Sequence, residues 1–142
     1  MQVEHILQSK GMSVHTVLVH APVSEAVRIL NEHRIGAVVV LGDNGAVAGI
    51  LSERDIVRHL GTDPAGLLKR AVREIMTEKV ITCDRATDVS ELMEQMTRFR
   101  IRHIPIVEDG DLVGIVSIGD VVKGKIEEAE FEAMALREYI AK

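Results

Sequence analysis

Two serine–aspartate pairs carry the spacing on which chemistry in this sequence would rest: Ser52-Glu53-Arg54-Asp55 and Ser117-Ile118-Gly119-Asp120. Each follows a short apolar run and opens a segment that reads as helix. An ionised carboxylate offers only acceptors, so Asp55 and Asp120 suit the two hydroxyls of a ribose. Ser52 and Ser117, with the backbone N–H groups of the following turn, suit a phosphate, because a helix start carries partial positive charge. The plain alternative is a helix cap in which Ser and Asp satisfy each other's backbone, worth about 1 kcal/mol. The two roles can coexist. Cations stand near both pairs: Arg54 lies inside the first, Arg102-His103 precedes Ile104-Pro105-Ile106, and Lys10 lies upstream of the first strand. Ordinary surface charge is the competing reading for each of them and the favoured one for Lys10, while Arg34, Arg98 and Arg100 read as surface or ion-pair residues.

Other chemistries lack their residues. The six histidines show no zinc-protease spacing, and Cys83 has no second cysteine for a redox or metal pair. No nucleophile elbow, Walker loop or dinucleotide-binding glycine pattern is present, so no enzyme is expected and NAD, if bound, would be an effector. Asp109 and Asp111 fall in a hairpin turn that accounts for them. A net charge of −5, with 2% aromatic residues and no tryptophan, argues against a nucleic-acid partner. The single cysteine reads as a buried structural thiol in a reducing compartment.

The elements that must position these residues come from a repeat within the 142-residue chain. At a shift of 66, Val14 meets Val80, Thr16 meets Thr82, Val23-Ser24-Glu25 meets Val89-Ser90-Glu91, and Arg34-Ile35 meets Arg100-Ile101. Beyond the turns Asp43-Asn44-Gly45 and Asp109-Gly110 the shift becomes 65, so that Ser52 meets Ser117 and Asp55 meets Asp120. Each copy reads strand, helix, strand, strand, helix. The strands are placed at Thr16 to Val19 and Val80 to Cys83, the helix starts at Ser24-Glu25 and Ser90-Glu91, and the hairpins at the Asp/Asn-Gly turns. Gly61, Pro64 and Gly66 mark the boundary before a short helix. Neither half would bury a sufficient core alone, so the halves are expected to pack face to face. Beyond Asp120, Val122, Ile126, Ala129, Ala133, Leu136 and Ile140 recur every three or four residues, predicting a long amphipathic helix with a solvated acidic face. The alternative for its apolar stripe is packing on a second chain.

The doubled Gly49-Ile50-Leu51-Ser52-Glu53-Arg54-Asp55 and Gly114-Ile115-Val116-Ser117-Ile118-Gly119-Asp120, each behind a two-strand unit, resembles a tandem pair of cystathionine-β-synthase (CBS) domains, a Bateman module. It is similar to the pair inserted in inosine-5′-monophosphate dehydrogenase and to bacterial two-CBS proteins. The resemblance implies an α/β fold with repeats at residues 6–62 and 74–125, a linker at 63–73 and a helical extension at 126–142. It implies two clefts between the halves for AMP, ADP, ATP, NAD(H) or S-adenosylmethionine, and a homodimer that controls a partner enzyme or transporter. A constitutive scaffold with vestigial clefts is the alternative. By matched position, family phosphate contacts fall on Arg102 and His103. Base-slot contacts fall on Lys10 to His15, Val14 included, and on Thr77 to Val80. Gly36-Ala37 corresponds to Arg102-His103, and Arg54 to Gly119, so the two clefts should differ. With no leader-like amino terminus and no apolar run near the ~20 residues a membrane span needs, a cytoplasmic protein is expected.

Overall fold

The computed structural model describes residues 1–141. The elements run α1 (Val3–Lys10), β1 (Thr16–Leu18), α2 (Val23–His33), β2 (Ala37–Leu41), β3 (Val47–Ser52) and α3 (Glu53–Leu60). Two 3-10 turns follow, Leu67–Lys69 and Val72–Glu74, then α4 (Val89–Phe99), β4 (His103–Glu108), β5 (Asp111–Ser117) and α5 (Ile118–Ala141). The short helix expected after Gly66 is thus a pair of 3-10 turns. The chain forms two compact units, one of Met1–Met12, Thr82–Glu108 and Gly114–Lys142, the other of Ser13–Ile81 with Asp109–Val113. Among the described residues, no helix is long and apolar enough to cross a membrane.

In the unit built on Ser13–Ile81, β2 is central, parallel to β1 and antiparallel to β3. Its residues Ala37 to Val40 are buried on both faces, which is why this strand reads as an unbroken apolar run. Val23, Ala26, Ile29 and Leu30 of α2 join Val38, Val40, Leu51, Leu67, Val72 and Ile75 in one core cluster. The β2–β3 turn places Gly45 at φ 80°, and Asn44 Oδ1 accepts from the Ala46 N–H at 3.1 Å. Residues 76 and 77 run beside β3, on the edge away from β2. Thr77 bridges Ile50, and a Cβ on Gly49 would stand 2.6 Å from Met76 Sδ.

The other unit repeats this plan with a changed first strand. Where a strand is expected over Val80 to Cys83, only Cys83 pairs, bridging Ile106, with Cys83 N–H donating to Pro105 O at 3.0 Å. β4 and β5 form a two-stranded sheet around Asp109-Gly110, both at positive φ (51° and 83°), the turn favoured between twisted strands. The first helices of the copies open one residue before the expected Ser24 and Ser90. Asp88 caps α4 by accepting from Ser90 N–H at 2.8 Å, which holds its carboxyl below the usual value, whereas Pro22 at the matching place supplies no side-chain bond.

A second register, absent from the sequence reading, joins the openings of the repeats. Val3 N–H donates to Thr87 O and Val72 N–H to Ala21 O; Glu4 N–H donates to Arg85 O and Arg73 N–H to Val19 O. Gln2 bridges Asp88 as Ala71 bridges Pro22. Leu7 lies 3.0 Å from where a Cβ on Gly114 would stand, as Met76 lies against Gly49. The segments Val3–Lys10 and 72–79 are therefore equivalent at a shift of 69, sharing V-x-x-I-(L/M)-x-x-K. Each opening segment sits in the unit that holds the body of the other repeat.

Candidate functional site

Both serine–aspartate turns are built alike. At the β3–α3 junction Asp55 Oδ2 accepts from Ser52 N–H at 2.9 Å and Ser52 Oγ–H at 3.0 Å, while Asp55 N–H donates back to Ser52 Oγ at 3.3 Å. At the β5–α5 junction the corresponding distances for Asp120 and Ser117 are 2.9, 3.0 and 3.2 Å. These are capping boxes, so the plain reading is realised in both copies. The next residue is engaged too: Glu53 N–H donates to Gly36 O at 2.9 Å, and Ile118 N–H to Arg102 O at 2.8 Å. Two of the first three helical N–H groups are thus occupied in each copy. A phosphate at either turn would have to draw mainly on cationic side chains.

The opening segments complete the turns differently. Thr77 Oγ1 approaches Asp55 Oδ1 at 3.4 Å, and Asp55 is the buried charged residue of the described chain, 7% exposed. Lys10 Nζ lies 2.6 Å from Asp120 Oδ2 and 2.8 Å from Ile115 O. Burial pushes the Asp120 carboxyl up, but the Lys10 ammonium and the Ser117 N–H outweigh it and hold the group below its usual 3.8. Lys10, for which the sequence favours surface charge with a phosphate contact as the alternative, is here the counter-ion of the second carboxylate. The contact spans 110 residues of chain.

The remaining expected site residues divide between the units. Gly36 and Ala37 stand at the start of β2, Ala37 in register with Ser52, and Arg54 is exposed on the first turn of α3. Arg102 is exposed and His103 opens β4, beside the Ser117–Asp120 turn. Val14 and Val80 are half-buried in chain without regular secondary structure. Beside Lys10 and Asp120 a recess of about 70 Å³ is walled partly by Lys123, small against the ~300 Å³ of a typical ligand pocket. An open groove of about 670 Å³ along α1 and α5 has Glu4, Glu127 and Glu128 on its wall, the wrong sign for a phosphate. Among the described residues no three His, Cys, Asp or Glu side chains cluster as metal ligands.

Comparison with known proteins agrees with the repeat. The CBS domain family model matches residues 3–62 and 72–127. The chain is 37% identical over 146 residues to the CBS domain-containing protein CBSX3, mitochondrial, of Arabidopsis thaliana, covering 97% of this chain and 71% of that one. The crystal structure of the CBS-domain containing protein ATU1752 from Agrobacterium tumefaciens superposes with a TM-score of 0.84 at 43% identity, covering 87% of this chain and 92% of that one. The CBS domain pair of protein MJ0100, solved in complex with 5′-methylthioadenosine and S-adenosyl-L-methionine, superposes at 0.79 with 27% identity over 90% of this chain and 98% of its own. With two matched repeats, twin capped turns and solved relatives of the same α/β architecture, the chain belongs to the CBS domain family as a tandem pair.

Proposed function

We propose that this CBS pair is a regulatory module that binds an adenosine-bearing small molecule through Asp55 and Asp120 and passes its level to a partner enzyme or transporter through a change of shape. The observation that carries the reading is the twinned carboxylate. In both copies the serine bonds end on Oδ2, so each aspartate is held in place while acceptor capacity remains for a ribose diol. The MJ0100 pair, with its two adenosine derivatives, supports this ligand class. AMP, ADP, ATP, NAD(H) and S-adenosylmethionine are the candidates. Arg54 favours the larger or more phosphorylated ligand at the Asp55 turn. Gly119 stands in the place of that arginine at the Asp120 turn, which suits a smaller one. Arg102 and His103 supply phosphate contacts, Gly36, Ala37, Val14, Thr77 and Val80 border the base, and the active assembly is a homodimer. Its action is effector binding rather than turnover.

Titration calorimetry with AMP, ATP, NADH, S-adenosylmethionine and 5′-methylthioadenosine tests the reading. Asp55→Ala and Asp120→Ala each abolish a different binding event, while Ser52→Ala and Ser117→Ala weaken the cap and keep the carboxylate and the binding. A ligand at 100 times its dissociation constant stabilises the chain by about 2.7 kcal/mol. Silence across the panel, or identical profiles for the two aspartate variants, overturns it. The scaffold reading has one observation in its favour: Lys10 already satisfies Asp120, and the recess beside it is small. It predicts that silence.

A further inference from the structure

The last helix has two faces with different duties. Val121 is fully buried, Gly124 stands where a Cβ would lie 3.1 Å from Met1 Sδ, and Glu128 pairs with the Met1 ammonium at 3.2 Å. A second face carries Val122, Ile126, Ala129, Ala133, Leu136 and Ile140, all exposed, with Ile126 at 53%, Leu136 at 59% and Ile140 at 74%. Their spacing, 4-3-4-3-4, is that of alternating d and a positions of a heptad. It continues past residue 127, where the family match ends.

We propose that α5 pairs with the α5 of a second copy of this chain as a parallel, in-register, two-stranded coiled coil over residues 122–140. The flanking charges choose the occupant and its direction. In a parallel pair each g position faces the e position five residues on in the other strand, so Glu132 meets Arg137 and Lys125 meets Glu130 of the second copy, opposite signs in both cases. An antiparallel pair of equal overlap brings Glu130 and Glu132 against their own counterparts. On its own helix Arg137 has only Ala133, Met134, Ile140 and Ala141 at three or four residues, and Glu132 has no cation there. Lys125 is also 3.0 Å from Ser90 Oγ and 3.2 Å from Glu128, which leaves Glu132 and Arg137 as the pair that sets the register. Isoleucine at a (126 and 140) with leucine at d (136) favours two strands. Ala129 and Ala133 in mid-seam allow close approach but bury little, so the pairing belongs to the full chain rather than to a peptide. It is independent of any nucleotide.

The test places one thiol on the seam of the full chain. Cys83 is buried with its thiol pushed up to about 12, so it does not compete. In the parallel register Leu136→Cys meets its own copy and forms a covalent dimer under mild oxidation at least ~10-fold faster than Phe131→Cys, which is exposed on the opposite face. Adding Arg137→Glu sets like charges across the seam and slows cross-linking of Leu136→Cys, and adding Glu132→Arg as well restores it. Equal rates at 131 and 136, faster coupling at 131, no coupling at 136, or failure of the charge exchange to restore it each overturns the proposal. Ligand binding by the aspartate turns is read by calorimetry, so loss of one result leaves the other standing.

Discussion

At Asp120 the Lys10 ammonium and the Ser117 N–H meet on one oxygen and outweigh the burial that would otherwise raise the carboxyl. A folded-state value below the unfolded one makes the group stabilising above the usual carboxylate range, with that contribution lost as pH falls through the depressed value. The Lys10–Asp120 side chains are 30% and 22% exposed, so Lys10→Met costs on the order of 1 kcal/mol near neutrality. The difference from the parent chain shrinks at acid pH, below the depressed value, where Asp120 is protonated in both. Thermal unfolding near neutrality and at acid pH checks this, and a pH-independent difference contradicts it. Cys83 makes a second residue-scale case. Burial first, then Asp84, Glu108 and Glu91, push its thiol up to about 12, so it should resist aromatic disulfide reagents in the folded chain at mildly alkaline pH and react once denatured.

The elements differ in how tightly their junctions are drawn. Gly49 in β3 faces Met76 Sδ at 2.6 Å and the Thr77 carbonyl at 2.8 Å from a hypothetical Cβ, whereas Gly114 in β5 faces the side-chain tips of Leu7 at 3.0 Å and Ile106 at 3.4 Å. Backbone cannot retreat as a leucine methyl can. Gly49→Ala should therefore cost about 2–3 kcal/mol and Gly114→Ala about 1 kcal/mol or less, an order that urea unfolding of the two variants reads directly. The hairpin at Asp109-Gly110, the helices opening near Ser24 and Ser90, and the run of α5 were legible because each rests on local pattern or turn chemistry. The strand expected over Val80 to Cys83 was not realised, because β propensity there is met by a single bridge to Ile106. The capping boxes were legible as one of two readings of Ser-x-x-Asp. The hydrogen bonds from Glu53 and Ile118 to Gly36 and Arg102 were not, since sequence does not show which carbonyl a helix N-terminus will meet.

At the scale of the whole molecule, what stayed hidden was the shift of 69 between Val3–Lys10 and residues 72–79, because α1 and a 3-10 turn present the same pattern in different local conformations. Its consequence is that Val3, Ile6 and Leu7 are core residues of the unit containing α4 and α5. Leu7→Ala should cost about 2–4 kcal/mol, and deletion of residues 1–12 should abolish cooperative unfolding of that unit while the β1–β2–β3 unit keeps its own transition in calorimetry. A single transition unchanged by the deletion would contradict this.

The crossed placement of the opening segments has a further meaning for how the chain can be divided. A cut in the Gly61 to Pro64 turn gives two pieces, one carrying Met1–Met12 and the other the stretch up to Ile81, each of which completes the other piece's unit. Neither should fold fully when expressed alone, and the two together should reconstitute both units. The protein is in that sense a natural pair of complementing fragments, held in one polypeptide by a short linker.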